Sequence, residues 1–419
     1  MASFNLSNFD SAMKHMYPYK KVENLIYKNN PLLAMIPKET KFPGRNATYA
    51  VQYGVTGGRS ADFSKAQLNR SGIPLQHFVV GRERDYAVVS VDNETLLAAD
   101  GNEGSLLNVA KVKTDAALGA LARAMGGDVY RNGSGTLGVV ATFTARVAPN
   151  SSANPPVAEV DAYVTVSEAE IVNFEVGQVL QFEGQAQAHI VTKVDRDAFK
   201  VSIGTDSITS APSADDKIVN VGDTDAKIKG LDAWLPATAP GNTDSFFNVN
   251  RSVDPTRLAG LRQAFDTNIK HTLFEAGVRL NREGGRPDAI FMNPIKWGEL
   301  ATALEGGATF DSGAGTGTLR RRYDGDDKGT TFGFSSLQMA GPSGVIKVYA
   351  DHNCPLNVAY MLQMDTWAFR TLGAAPRLLD FAGLKGLREA SADGVEYRWG
   401  YYGNILCKAP GYNCRVALS

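Results

Sequence analysis

Arg320, Arg321 and Arg322 form the densest basic cluster in the chain, and Asp324, Asp326 and Asp327 follow at once. Three guanidiniums in a row can grip phosphate oxygens or the carboxylates of a neighbouring molecule. The aspartates offset that charge, so a solvated face is the plainest reading. Asp324 to Gly329 also resembles the opening of a calcium loop, but Lys328 and Ser335 stand where oxygen ligands and a bidentate glutamate are needed. Gly133-Ser134-Gly135-Thr136-Leu137-Gly138 matches the dinucleotide fingerprint GxGxxG. That motif works only between a strand and a helix whose N-terminus meets the phosphate. Here a helical pattern precedes it and β pattern follows, which makes it a flexible joint. Cys407 and Cys414 are too far apart for a zinc pair, and His352 with Cys354 does not complete a set of four. The thiols read as buried in sheet. His15, His77, His189, His271 and His352 are scattered, with no HExxH, and no GxSxG elbow occurs. No catalytic, cofactor or metal residue is therefore expected, although paired carboxylates are invisible at this level.

The elements that hold these residues say more. The chain has 419 residues, enough for two or three domains, and a net charge of −1, which gives no overall pull toward nucleic acid or an acidic membrane. No run of about 18 apolar residues suggests a membrane span, and no basic segment followed by an apolar one suggests a signal peptide. Three cysteines are an odd, sparse set, as in a reducing cytoplasm. Residues 1–45 read as an arm without a sustained period, broken by Pro31, Pro37 and Pro43. Two alternating stretches follow, Ala47–Tyr53 and His77–Val91, with Phe78, Val80, Tyr86 and Val88 on one face. Between them lies a tip with Gly57, Gly58, Ser60, Phe63, Lys65, Leu68 and Gly72. A hairpin arm of ~12 residues reaches ~40 Å, whereas a compact chain of this length has a radius of gyration of ~22 Å. Such a ribbon overhangs its own globule and is marginal alone, so a second copy of the chain is expected to support it, through Tyr53, Phe63 and Leu68 among others.

Ser105–Met125 reads as one long helix with an alanine-rich apolar stripe (Leu107, Ala110, Leu118, Leu121, Met125), stopped by Gly126-Gly127. From 139 to 229 helical periodicity disappears. Short Val/Ile/Phe runs alternate with Gly, Asp and Pro turns, as in a small all-β barrel. This stretch holds 13 acidic and 7 basic residues, a charge of −6 inside a faintly basic host. Gly126, Gly127, Gly133 and Gly135 are candidate hinges between the two. Asp254-Pro255 is expected to start a helix running through Leu258, Leu261, Phe265, Ile269, Leu273 and Ala276. A short strand at Ala289–Met292 and a helix from Asn293-Pro294 come next, then a Gly-rich loop 306–333. Strands close the chain at Val345–Tyr349, Val358–Phe369, Val395–Leu406 and Cys414–Leu418.

This order of elements resembles the major capsid proteins of tailed bacteriophages, with the Hong Kong 97 fold. Phe42-Pro43-Gly44-Arg45, Ser60-Ala61-Asp62-Phe63, Arg84-Asp85-Tyr86, Trp234-Leu235-Pro236, Arg251 to Pro255 and Asn293 to Trp297 look like that family's landmarks. The likeness spans nearly the whole chain outside 139–229. It implies an α+β fold with an N-terminal arm (1–45), an extended loop (46–92), a peripheral segment with the spine helix 105–126 (93–138), an inserted β barrel (139–229), a return segment (230–255), an axial domain (256–375) and closing peripheral strands (376–419). It also implies self-assembly into pentamers and hexamers of an icosahedral shell that encloses double-stranded DNA through weak, non-specific contact. Arg320, Arg321, Arg322 and Asp324 would then be contacts near the capsomer axis. The hairpin begins too early for a fused scaffolding segment, so a separate scaffold protein is expected. A portal protein is implied, with room for a decoration protein, in a virion assembled in the host bacterial cytoplasm. Cross-linking through Lys65 has no identifiable partner asparagine. The rival readings are an encapsulin-like compartment shell and a soluble hydrolase whose β module binds carbohydrate. The module's aromatics, Tyr163, Phe174, Phe182 and Phe199, look like core strand positions, which counts against the latter.

Overall fold

The computed structural model describes residues 30–42, 44–92, 94, 109–149, 160–204, 208, 210–305, 337–380, 386–389 and 393–419. The arm before residue 30, the first turn expected for the long helix and the loop 306–333 lie outside them. Two six-stranded sheets make up the body. In the first, the strand Gly394–Cys407 is the organiser. It pairs with Glu83–Asp92 from Gly394 opposite Asp92 to Gly403 opposite Glu83. Its other partners are Trp367–Thr371, Arg377–Leu378 and Leu387–Arg388. The helix Val109–Asp128 packs on Glu83–Asp92 and Gly394–Cys407. Its 20 residues make a rod of about 30 Å, and Leu121 and Met125 are buried against the body. The helix runs through Gly126 and Gly127 to Asp128. Gly126 lies so close to Asn30 that a Cβ would sit 2.4 Å from its side-chain oxygen.

The second sheet runs Leu261–Gln263, Cys414–Ala417, Val358–Leu362, Ala289–Met292, Gly344–Ala350, Leu337–Gly341. All four residues of Ala289–Met292 are buried. Helices Ile269–Arg282 and Pro294–Glu305 supply Leu273, Ala276, Leu280 and Leu300 to the core on this sheet. The expected helix from Asp254 is therefore much shorter. Asp254 starts only a turn, Gly260 takes a φ of +71°, and Leu261–Gln263 enters the sheet. The helix begins at Ile269, where the Asn268 side chain accepts the His271 amide at 2.8 Å. The stretch expected as one strand over Val358–Phe369 is two, broken by the turn Met364–Thr366, and each half belongs to a different sheet. Asn413, fully buried, ties the sheets together there. Its Oδ1 accepts the Gln363 amide at 2.9 Å and the Trp367 indole N–H at 2.8 Å. The last strand, Cys414–Ala417, then lies in the second sheet beside Leu261–Gln263, so the boundary drawn at 375/376 does not separate the two sheets.

Residues 30–42 are part of the body. The helix Pro31–Met35 buries Leu32, and Lys38–Glu39 pairs in parallel with Trp367–Thr371. The buried Asp351 receives the Tyr130 hydroxyl at 2.8 Å and the Leu32 amide at 3.4 Å.

Between Thr136 and Asn220 lie two four-stranded sheets. Thr136–Val139 continues into Thr142–Thr144 in the other sheet, and Ala188–Ile190 continues into Lys193–Asp195. Strand pairing thus passes from one sheet to the other at both corners, around one separate core of Leu137, Val164, Phe174, Leu180, Phe182, Val201 and Ile218. We refer to this unit as the strand ring. Among the described residues no helix is long and apolar enough to cross a membrane.

No tryptophan falls within 139–229, so tryptophan fluorescence reports the body alone. Phe182→Ala removes a fully buried ring from the separate core and is expected to destabilise it by about 3–5 kcal/mol. Far-UV circular dichroism in urea should then show an early transition that tryptophan fluorescence does not follow.

Candidate functional site

The ribbon is shorter than the sequence suggests. Asn46–Gln52 pairs with Leu75–Gly81, Asn46 opposite Gly81 and Gln52 opposite Leu75. Glu83–Asp92 leaves it for the first sheet. The cause is a change of phase at Arg82. Phe78 and Val80 point into the core, but beyond Arg82 it is Val91 that is buried while Tyr86 and Val88 face outward. A one-residue shift sends alternate side chains to the opposite face.

The base of the ribbon rests on the chain's own body. Tyr49 stacks on Phe78 at 5.5 Å, and Phe78 lies 5.2 Å from the buried Trp234. Phe246 meets Trp234 edge-on at 5.0 Å, and the Phe247 carbonyl accepts the Val79 amide at 3.0 Å. The Tyr49 hydroxyl donates to the Cys407 carbonyl, and burial pushes its ionisation far above the ordinary phenol range. Arg257 closes the edge by donating to the Tyr53 carbonyl at 2.7 Å.

Among the described residues, none from Gly54 to Pro74 joins this packing. The tip carries a short helix, Phe63–Leu68, whose first turn is capped by Asp62 accepting from the Ser64 amide at 2.8 Å and the Lys65 amide at 3.4 Å. Gly57 donates to the Ser71 hydroxyl at 2.6 Å and passes so close to Asn69 that a Cβ would meet its carbonyl at 2.3 Å. Gly58 has a φ of +92°. The tip is thus shaped, yet Phe63 is 78% and Leu68 84% exposed, and Val55, Ile73, Ser60 and Lys65 are exposed beside them. A shaped surface with outward apolar side chains is a candidate interaction surface. Arg320, Arg321, Arg322 and Asp324 lie outside the described residues.

The joint between body and strand ring is a buried charge cluster that the sequence did not reveal. Lys227, 7% exposed, reaches Asp85 at 2.7 Å and Asp223 at 3.1 Å. Asp128 sits beside them with Arg131 at 3.4 Å, and its Oδ2 is buried without a hydrogen-bond partner. Burial pushes the Asp128 carboxyl up to about 6, against the pull of Arg131 and Lys227. Burial likewise raises Asp85. The Lys227 ammonium loses solvation too, but Asp128, Asp85 and Asp223 outweigh that loss and raise it. Arg123 of the long helix donates to Glu175 and to the Val172 carbonyl of the ring. Gly133 and Gly135 adopt φ of +88° and +77° in this joint, and a Cβ on Gly135 would meet the Asp223 carbonyl at 2.3 Å. The second half of the GxGxxG stretch, Thr136 to Gly138, already belongs to the strand Thr136–Val139.

The remaining candidates of the sequence lie as follows among the described residues. Cys354, Cys407 and Cys414 are buried, with burial raising the Cys407 and Cys414 thiols to about 12. Cys407 and Cys414 are in strands as expected, whereas Cys354 is in a turn. Asp266 faces one ring nitrogen of His271 at 2.9 Å and Glu275 the other at 3.9 Å; the three each offer a ligand atom within 4.8 Å of the others, at the surface. A cleft of about 360 Å³ is lined by Lys229, Asp232 and Arg251. Arg251 is spent on Asp244 at 2.8 Å, on the Ala233 carbonyl at 2.8 Å and on the face of Phe246.

No family model and no curated protein matches the chain. Solved structures do. The capsid subunit of cyanophage A-1(L) is 11% identical, with a TM-score of 0.55 over 98% of this chain and 99% of that one. The capsid of a native GTA particle is 7% identical, with a TM-score of 0.50 over the full length of both. This chain has the fold of a phage capsid subunit. Both neighbours are structural shell components by their descriptions, not enzymes.

Two outcomes test this site. Phe63→Ser with Leu68→Ser should abolish self-association in sedimentation velocity while moving the urea midpoint of the subunit by no more than the equivalent of about 0.5 kcal/mol. Because Asp128 is raised in the folded state, its stability contribution is full below the ordinary carboxylate value and is lost as pH rises through about 6. Acidification from pH 7.5 to 5 should therefore strengthen the joint by about 1.4 kcal/mol. Asp128→Asn should flatten that pH dependence in urea denaturation.

Proposed function

We propose that this chain is a major capsid protein of the Hong Kong 97 type, forming pentamers and hexamers of an icosahedral shell that encloses phage double-stranded DNA. The observation that carries this reading is a capsid-subunit fold over the whole chain whose hairpin ends in a shaped, exposed apolar tip. A subunit that leaves Phe63 and Leu68 in water gains by covering them at about 25 cal/mol per Å² of apolar surface. Each contact is weakened by ordering and desolvation, and many such contacts sum through multivalency. A tip that leaves one subunit and lands on the next is a heterologous contact, and such contacts close into rings.

In this reading, 46–81 is the extended loop, and the long helix with the first sheet, Glu83–Asp92 included, is the peripheral domain. The second sheet with its two helices is the axial domain. The strand ring is the inserted barrel, placed on the outer surface by its negative charge. A separate scaffold, a portal, a decoration protein and weakly held DNA complete the particle, assembled in the bacterial cytoplasm.

Expression of the chain with and without its scaffold, followed by negative-stain electron microscopy, tests the proposal. Closed shells or five- and six-fold rings are expected. A chain that stays monomeric at micromolar concentration under both conditions would overturn it.

A further inference from the structure

We propose, resting on the shell reading, that the hairpin tip of one copy seats on the outer wall of the strand ring of a second copy. The wall carries an unusual row. Val179 pairs in register with Ile190, and the Val221 amide donates to the Val179 carbonyl at 3.2 Å. Three β-branched side chains therefore stand side by side, two on adjacent strands and Val221 directly after the end of the next strand, Lys217–Asn220, while Leu180, His189 and Ile218 of these strands point inward. All three are exposed, Ile190 to 58%, and Val176 is exposed in the turn before them. An outer wall of a small antiparallel unit is ordinarily polar, so this row marks a covered surface.

Charge selects the occupant. The segment 139–229 that contains the ring carries −6, so two such walls repel. Between residues 54 and 74 the tip holds Arg59, Lys65 and Arg70 against Asp62, leaving +2, so two tips repel as well. Tip on wall is the pairing in which both the apolar side chains and the charges are complementary. Within one chain both surfaces are exposed, so a tip does not reach its own wall. The contact is then tip of one copy to wall of the next, which propagates in one direction around a ring.

The buried state of Cys354, Cys407 and Cys414 supplies a clean test. Ser64→Cys in the tip and Ala188→Cys beside the row, both at exposed positions, become the accessible thiols of the full-length chain. Treatment of assembled particles with a short bismaleimide should yield a ladder of covalent multimers on denaturing gels. Either single variant should give no species beyond a dimer. A second test uses charge. Ile190→Lys should raise the critical concentration for assembly about tenfold, equivalent to about 1.4 kcal/mol, and adding Lys65→Glu should restore much of the loss. Normal particles without a ladder, or Ile190→Lys assembling as the parent does, would overturn this docking and leave the shell reading standing. Failure of the unmodified chain to assemble overturns both. If the double-cysteine variant alone fails to assemble, the charge pair decides.

Discussion

A two-stranded ribbon has no core of its own, and the way this one is held depends on Trp234. The indole is fully buried and brings Phe78, Tyr49, Phe246 and Phe247 into one aromatic cluster. Its N–H donates to the Ile405 carbonyl at 3.3 Å, which joins the cluster to the longest strand of the body. Aromatic packing of this kind is rigid and short-ranged. It fixes the direction in which the ribbon leaves the subunit, and it ends at Tyr53. Everything past that point is shaped by local devices alone: the Asp62 cap, the close approach at Gly57 and the positive φ at Gly58. Anchored base and unsupported tip together make a subunit that presents a defined apolar surface at a defined angle.

The strand ring follows the opposite logic. It has its own core and meets the body through few residues, most of them charged. Lys227, Asp85, Asp128, Asp223 and Arg131 are held together out of water. A buried charge cluster contributes little net stability, but removing one member leaves the others uncompensated. Arg123 adds a second point of attachment, on Glu175, from the side of the long helix.

Much of the architecture was legible because it rests on short-range rules. The long helix, the strand at Ala289–Met292, the change of character at 139 and the strand Gly394–Cys407 all follow from periodicity and turn residues. The misreadings share one cause. The stretch 77–91 alternates throughout, and nothing local marks Arg82 as the place where the alternation changes side. Leu258 to Ala276 keeps helical spacing across Gly260, and the sheet claims Leu261–Gln263 because Cys414–Ala417 offers it a partner more than 140 residues away. The glycines at 126 and 127 look like a stop, yet the helix continues through them to Asp128, and Gly126 is there because Asn30 fills the space a side chain would need.

What the sequence determined by itself was the inventory: a ribbon with a glycine-bounded apolar tip, a long helix and an acidic β unit. These depend on residue type and spacing within about twenty positions. Which surfaces were already covered was decided only in three dimensions. The base of the ribbon is satisfied by Trp234, the arm from residue 30 by Asp351, and the spare charges of the joint by one another. Burial is a property of contacts between distant segments, so no local pattern could tell the satisfied apolar residues, Phe78 and Val80, from the unsatisfied ones, Phe63 and Leu68.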